Sequence, residues 1–314
     1  MGSLFYWIAS LNNVRGSNLK ILKSVLSALE SLGKTLFSGA CVVFYSKRVD
    51  ASWRQTSAAT AIILGNGPSL NADLDVCMSC LRPGSSDVWA VNNFCFSDKF
   101  TVIQPQFYVL ADPNYWAKTV SEEVELSRDR FLRGLRERLA WPMTLLVPVA
   151  ARGSCFLAGL DSSFLTVRFY NSTPLSGMCS VSYALMRRQL AMPAPLNVLV
   201  AATSLALCAQ YEEIVLLGAD HSWHEELTVN NDGEALVGQR HFYDEKVEAK
   251  PIYRPDHSCF TVGDMFERWG KVFKSYEFLQ GYACHRRVRV INAGSKSYID
   301  AFRRMRISDL CVKQ

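Results

Sequence analysis

No stretch of this sequence reaches the roughly 18 uninterrupted apolar residues that a membrane-spanning helix needs, so none is expected. The first residues, MGSLFYWIASLNNVRG, lack the basic start and small-residue cleavage site of a secretory signal. Cysteine is sparse, ten in 314 residues, too dilute for a disulfide scaffold. Cys41 and Cys208 lie inside apolar runs, as buried thiols do. Reduced thiols and a cytoplasmic location are the expectation. Cys77 and Cys80 form one CxxC, with no second pair and no histidine pair at finger spacing, so no metal site is expected. Neither GxGxxG nor a full GxxxxGK[ST] loop occurs (Gly33-Lys34-Thr35 has Ala28 where that loop needs its first glycine), which argues against a dinucleotide dehydrogenase and a P-loop kinase. Internal repeats and low-complexity tracts are absent too.

Net charge is missing from most of the chain. The total is +5, from 34 basic and 29 acidic residues, yet residues 1–54 alone hold seven basic against two acidic residues. The remainder is neutral. A nucleic-acid binder would carry a basic face on its folded body, so nucleic acid is not an expected partner. Hydrophobic content of 49% with 20% charge excludes a disordered chain.

The basic excess lies on a segment with helical patterning. In residues 18–37, Leu19, Leu22, Val25, Leu26, Leu29, Leu32 and Leu36 recur at helical spacing, with Lys20, Lys23 and Lys34 off the stripe. Two readings stay open. The helix packs on the domain or on a partner chain, as in a homo-oligomer, or it makes a peripheral contact with an anionic membrane surface. The polar stretch 46–60 reads as a joint, dividing an arm (1–54) from a body (55–314).

From residue 60 the pattern alternates. TAIILG (60–65), VWAVNNF (88–94), FYVLAD (107–112), MTLLVPV (143–149), VRFYN (167–171), EEIVLLGAD (212–220) and RVRVINA (287–293) read as strands. Segments 121–139, 178–190, 197–210 and 264–284 read as helices. In the first, Glu122, Glu123 and Glu125 near the start and Arg133, Arg136 and Arg138 near the end suit the helix dipole. Such alternation predicts an α/β fold, a Rossmann-like open parallel sheet. Residues 222–262 show no clear element and hold most of the histidines; a loop of that length suits a lid.

Ligands of such sheets bind beyond the carboxyl ends of the strands. GNGPSL (65–70) follows the first strand. Gly65 and Gly67 permit a tight turn, Asn66 and Ser69 are short and polar, and free N–H groups there would cradle a phosphate. Asn92 and Asn93 close the second strand and can offer donor and acceptor together to a base or ribose. Asp112 ends the third strand and Asp220, with His221, the sixth; as ends of neighbouring strands they would make one site. Among the five histidines, His285 suits a helix end. His221 and His224 in HSWHEE have the wrong spacing for a helical zinc pair. His241 and His257, both in the lid, are the better general acid–base candidates.

The ordered set GNGPSL, DVWAVNNFCFSDKF, YVLADPNYW and YEEIVLLGAD resembles bacterial sialyltransferases of glycosyltransferase family 42, in patches over about residues 58–302. It also looks like the archaeal-type hydroxymethylpterin pyrophosphokinase-like group, which has a related glycine–Pro–Ser loop. The sialyltransferase resemblance implies a GT-A-variant nucleotide-sugar fold, with Asn66 and Asn92 holding a CMP-linked donor. It implies a base at His257, ahead of Ser258 and the Glu277-Phe278-Leu279 helix. His241-Phe242-Tyr243-Asp244 matches a segment that begins with tyrosine in that family; His241 or His221 remains an alternative base. Arg240, His241 and Tyr243 would steady the departing phosphate.

The expected activity is therefore transfer of a sugar, with a CMP-linked ulosonic acid favoured. The acceptor would be a surface glycan or glycolipid. The reaction would be inverting, with a histidine base and neither metal nor other cofactor required. Two alternatives stay open: an ATP-dependent pyrophosphokinase using Asp112 and Asp220 toward Mg²⁺, and a non-catalytic nucleotide-binding scaffold of a membrane glycan assembly.

Overall fold

In the computed structural model, residues 16–78, 81, 86–238, 249–253 and 258–311 are described. Helix α1 (Gly16–Tyr45) leads into β1 (Thr60–Leu64), α2 (Leu70–Cys77), β2 (Ser86–Val91), α3 (Phe100–Ile103) and β3 (Phe107–Val109). Then follow α4 (Glu122–Arg138), β4 (Met143–Pro148), α5 (Cys155–Ala158), β5 (Leu165–Tyr170), α6 (Cys179–Arg187), α7 (Val198–Cys208) and β6 (Glu213–Leu217). The chain continues through β7 (Leu227–Val229), β8 (Ala235–Val237), β9 (Lys250–Pro251), α8 (Val262–Arg286), β10 (Arg289–Asn292), β11 (Arg303–Arg304) and α9 (Ile307–Cys311).

Eight of these strands form one sheet in the order β11-β10-β6-β1-β2-β3-β4-β5, and every pairing in it is parallel. The chain is thus a Rossmann-like α/β protein. Its strands read as continuous apolar runs because both faces are covered. Ala61 and Ile63 of β1 point into one core with α7 and α8, while Ile62 and Leu64 point into the other with α2 and α4. All eleven residues of α7 are buried, and its small side chains Ala201 and Ala202 allow it to lie close against the sheet. Helix α8 starts with a capping box, Thr261 and Asp264 bonding each other's backbone N–H, and ends at Arg287 in the left-handed region.

Two features differ from the sequence reading. Residues 222–262 contain a second, three-stranded antiparallel sheet, β7-β8-β9. Its strands are two or three residues long, too short for a period-2 signal, although the Asn230–Gly233 turn between β7 and β8 is visible in sequence. In addition, Asp112 and Asp220 do not end neighbouring strands: β1 and β2 lie between β3 and β6.

Helix α1 is held to the body through its C-terminal half. Ser38 Oγ bonds the Ser176 carbonyl at 3.1 Å and accepts from the Ser176 N–H at 2.9 Å. Thr35 Oγ1 accepts from Met178 N–H at 2.8 Å. Just past the helix, buried Asn171 bonds both the N–H and the carbonyl of Lys47, and the Gln189 carbonyl, each at 2.8 Å. Asn171→Ala leaves these backbone groups unpaired. It should cost about 2–4 kcal/mol in urea denaturation and open the chain near Lys47 to limited proteolysis; unchanged stability and cleavage would contradict this anchoring role.

Candidate functional site

The strand order reverses between β1 and β6, which is where ligands of open α/β sheets bind. The loop after β1 and the turn after β6 interlock there. Gly65 N–H bonds the Leu217 carbonyl and Gly67 N–H the Gly218 carbonyl, each at 2.8 Å. Ser69 donates to Asp220 twice, from N–H at 3.0 Å and from Oγ at 2.5 Å. Asp73 supports the latch from below, accepting from Gly218 N–H at 3.2 Å and Ser295 N–H at 2.9 Å. Both carboxylates are buried. Burial pushes the Asp220 carboxyl above its ordinary range, the Ser69 bonds oppose this, and Asp73 adds to it.

This arrangement corrects the expected phosphate cradle. The N–H groups of Gly65, Gly67, Ser69 and Leu70 are all spent within the protein, and Pro68 has none. The glycines serve packing instead. A Cβ on Gly65 would collide with the Gly218 carbonyl, and one on Gly67 with the Asp220 carboxylate.

What the loop offers a ligand is a side chain. Asn66 Nδ2 and Oδ1 are both buried with no partner among the described residues, and so is Oδ1 of Asn92 at the end of β2. Asn92 is in the left-handed region, φ 47°, a conformation asparagine tolerates. Its carbonyl accepts from the Tyr108 hydroxyl at 2.5 Å. Both amides line a slot of about 90 Å³ with Gly67, Asn197, Asp220 and His221. Through Asn92, Asn197, Val198 and Trp223 the slot adjoins a chamber of about 500 Å³, walled by Trp223, Trp269, Phe260 and Met265, with Asp112 and Arg268 on it. A larger cavity, about 740 Å³, lies at the opposite, amino ends of the strands around Thr60, Glu213 and Arg289.

Other expected residues are placed differently. Asn93 turns away from the slot, its Oδ1 accepting from the Tyr115 hydroxyl at 2.6 Å. Asp112 caps the turn that follows β3, accepting from Asn114 N–H at 2.9 Å, so Asp112 and Asp220 serve separate backbone turns, Asp220 on the slot and Asp112 on the chamber. His221, at φ 53°, is buried against Trp223, Phe273 and Tyr276, with Nε2 2.8 Å from the Tyr276 hydroxyl. Burial drives its pKa down to about 3, so it is neutral near pH 7. His224 packs edge-on to Tyr298, and His285 against Tyr183 at the end of α8. Among the described residues no group of three or more His, Cys, Asp or Glu could hold a metal ion. Cys77 is buried, its thiol pushed up to about 12 by desolvation.

Arg240, His241, Tyr243 and His257 lie outside the described residues, as does Cys80. Of the residues near these segments, Gly238 lines the slot, and Tyr253 and Phe260 line the chamber. Sequence reasoning missed Asp73, Trp223, Arg268 and Trp269. Asp73 lies four residues past Ser69 on a helix too short to register, and the aromatics look like ordinary core.

Fold and site together define a Rossmann-like protein with a polar slot and an aromatic chamber at its topological switch point. No protein-family model matches the chain, and no curated protein does. Among solved structures, the chain is similar to the MAf glycosyltransferase from Magnetospirillum magneticum AMB-1, with a TM-score of 0.46 and 13% sequence identity. The likeness covers 90% of this chain and 40% of that one, so the chain spans well under half the length of that protein.

Two predictions follow from the latch and the buried histidine. Gly67→Ala forces the Asp220 carboxylate or the loop to move and should destabilise by about 1–3 kcal/mol, read as a lower denaturation midpoint; an unchanged midpoint would contradict the packing. His221 gains no proton in the fold until pH falls near 3, whereas the unfolded chain binds one below about 6.5. Its contribution is therefore intact above pH 6.5 and lost as pH falls toward 3, by up to about 1.4 kcal/mol per pH unit. His221→Asn, which suits the left-handed backbone, should flatten stability against pH between 6.5 and 4.5. An identical slope in both proteins would mean that His221 titrates normally.

Proposed function

We propose that the chain is a glycosyltransferase that binds a nucleotide-sugar donor across the slot and the chamber. The observation that carries this reading is the set of three buried, unpartnered amide atoms on Asn66 and Asn92 at the switch point. Leaving such atoms without bonds costs free energy, and a ligand with adjacent donor and acceptor groups repays it. A pyrimidine base or a ribose has such groups. The resemblance of the GNGPSL and Asn92 segments to CMP-sugar enzymes favours CMP among the nucleotides. The chamber, about 500 Å³, is of ligand size.

In this proposal the acceptor hydroxyl attacks the anomeric carbon, the nucleotide phosphate leaves with the bonding electrons, and a base takes the hydroxyl proton. His221 is a poor base, since burial holds it neutral with a pKa of about 3. His257 keeps that role on its sequence match, and its neighbour Tyr253 lines the chamber. Charge on the departing phosphate would be met by Arg240, His241 and Tyr243, and the transfer would be inverting. A surface glycan or glycolipid remains the proposed acceptor. The pyrophosphokinase reading is weaker, because Asp112 and Asp220 do not converge and each is bonded to a backbone turn.

CMP should raise the melting temperature of the wild-type protein more than UDP, GDP or ATP does. Asn66→Ala should weaken CMP binding by at least about tenfold, the loss of one or two hydrogen bonds to the ligand. His257→Ala should retain binding and lose turnover with a CMP-sugar. A shift with ATP alone would favour the pyrophosphokinase; no shift with any nucleotide would sink the donor site.

A further inference from the structure

The outward face of α1 plays no part in the cleft. Its hydrogen bonds to the body begin at Thr35, and residues 20–30 are exposed apart from half-buried Leu26. Leu22, Val25, Leu29, Leu32, Leu36 and Val43 follow one another at steps of three, four or seven residues along one side, and they are between 39% and 78% exposed. Phe37 and Phe44, 71% and 72% exposed, widen that side to a stripe on the order of 140° at 100° per residue. A monomer's largest apolar patch is usually about 300–600 Å², and large side chains this exposed along a 30-residue helix exceed it.

From this we infer that α1 docks the protein in plane on an anionic lipid surface. Charge complementarity selects this occupant. The chain's whole +5 surplus falls within residues 1–54. Lys20, Lys23 and Lys34 lie on the side of α1 away from the stripe, and Lys47 and Arg48 follow its end. The arm's two acids are already engaged, Glu30 with Lys34 at 2.8 Å and Asp50 with Arg168 at 3.1 Å. A second copy of the helix fits less well. A two-stranded seam uses a narrow line of side chains flanked by charges, whereas the positions beside the Leu22–Val43 line are the uncharged Leu26, Ala28, Gly33, Thr35 and Ala40, and Phe37 and Phe44 widen it beyond a seam. Insertion across the bilayer is not implied, since no described helix is long and apolar enough to cross a membrane. Apolar burial and attraction of lysines to headgroups act together in such in-plane binding.

The test is co-sedimentation of the full chain, without nucleotide, with vesicles of phosphatidylcholine alone or mixed with phosphatidylglycerol. Binding should require phosphatidylglycerol and weaken with salt. It should fall at least about tenfold in the double substitution Leu29→Glu, Leu36→Glu, and in Lys20→Glu, Lys23→Glu. Both pairs are exposed, and circular dichroism with thermal melting, without nucleotide, checks that each variant folds. Equal binding to both vesicle types, or none, overturns the proposal. So does a dimer in sedimentation equilibrium that Leu29→Glu, Leu36→Glu dissociates, which would place a second copy on the stripe. Vesicle binding is read apart from nucleotide binding, so failure of either leaves the other standing.

Discussion

The latch between Ser69 and Asp220 is the contact on which the site depends. It joins the loop after β1 to the end of β6 across the one place where the strand order reverses. Buried Asp73 holds the far side of the same turn. Because the N–H groups of Gly65, Gly67 and Ser69 are bonded within the protein, those groups do not greet a ligand. The loop presents the Asn66 side chain instead, fixed by a turn whose glycines have no room for a Cβ. A loop that looks in sequence like a phosphate cradle is in the fold a rigid mount for an amide.

The other half of the site is mounted by a different device. Asn92 and His221 both adopt left-handed backbone at the ends of strands flanking β1. Asn92 is pinned through its carbonyl to the Tyr108 hydroxyl, and His221 through its ring to Tyr276. In one case the conformation turns a polar atom toward the slot; in the other it tucks a ring among aromatics. His221 thus supports the wall between slot and chamber, and its burial leaves it little capacity to gain a proton near neutrality.

The parallel sheet was readable from continuous apolar runs, because strands buried on both faces need no alternation, and β1 and β6 fall where TAIIL and EIVLL predict them. Asn66 and Asn92 were readable as strand-end polar residues. The division between Asn92 and Asn93 was not, since their opposite directions follow from the backbone turn and from Tyr115. Nor was the separation of Asp112 from Asp220, because strand order is set by crossovers that a local pattern does not encode. Trp223 and Trp269 become a chamber wall only once the small sheet β7-β8-β9 and α8 are packed together.

The central claim, that the orphaned amides of Asn66 and Asn92 receive a nucleotide, is tested most directly by ¹⁵N side-chain amide resonances during a CMP titration. The Asn66 and Asn92 NH₂ signals, assigned from Asn66→Asp and Asn92→Asp spectra, should shift together and saturate at one dissociation constant. Shifts confined to the cavity around Thr60, Glu213 and Arg289, or no shift at all, would contradict the account.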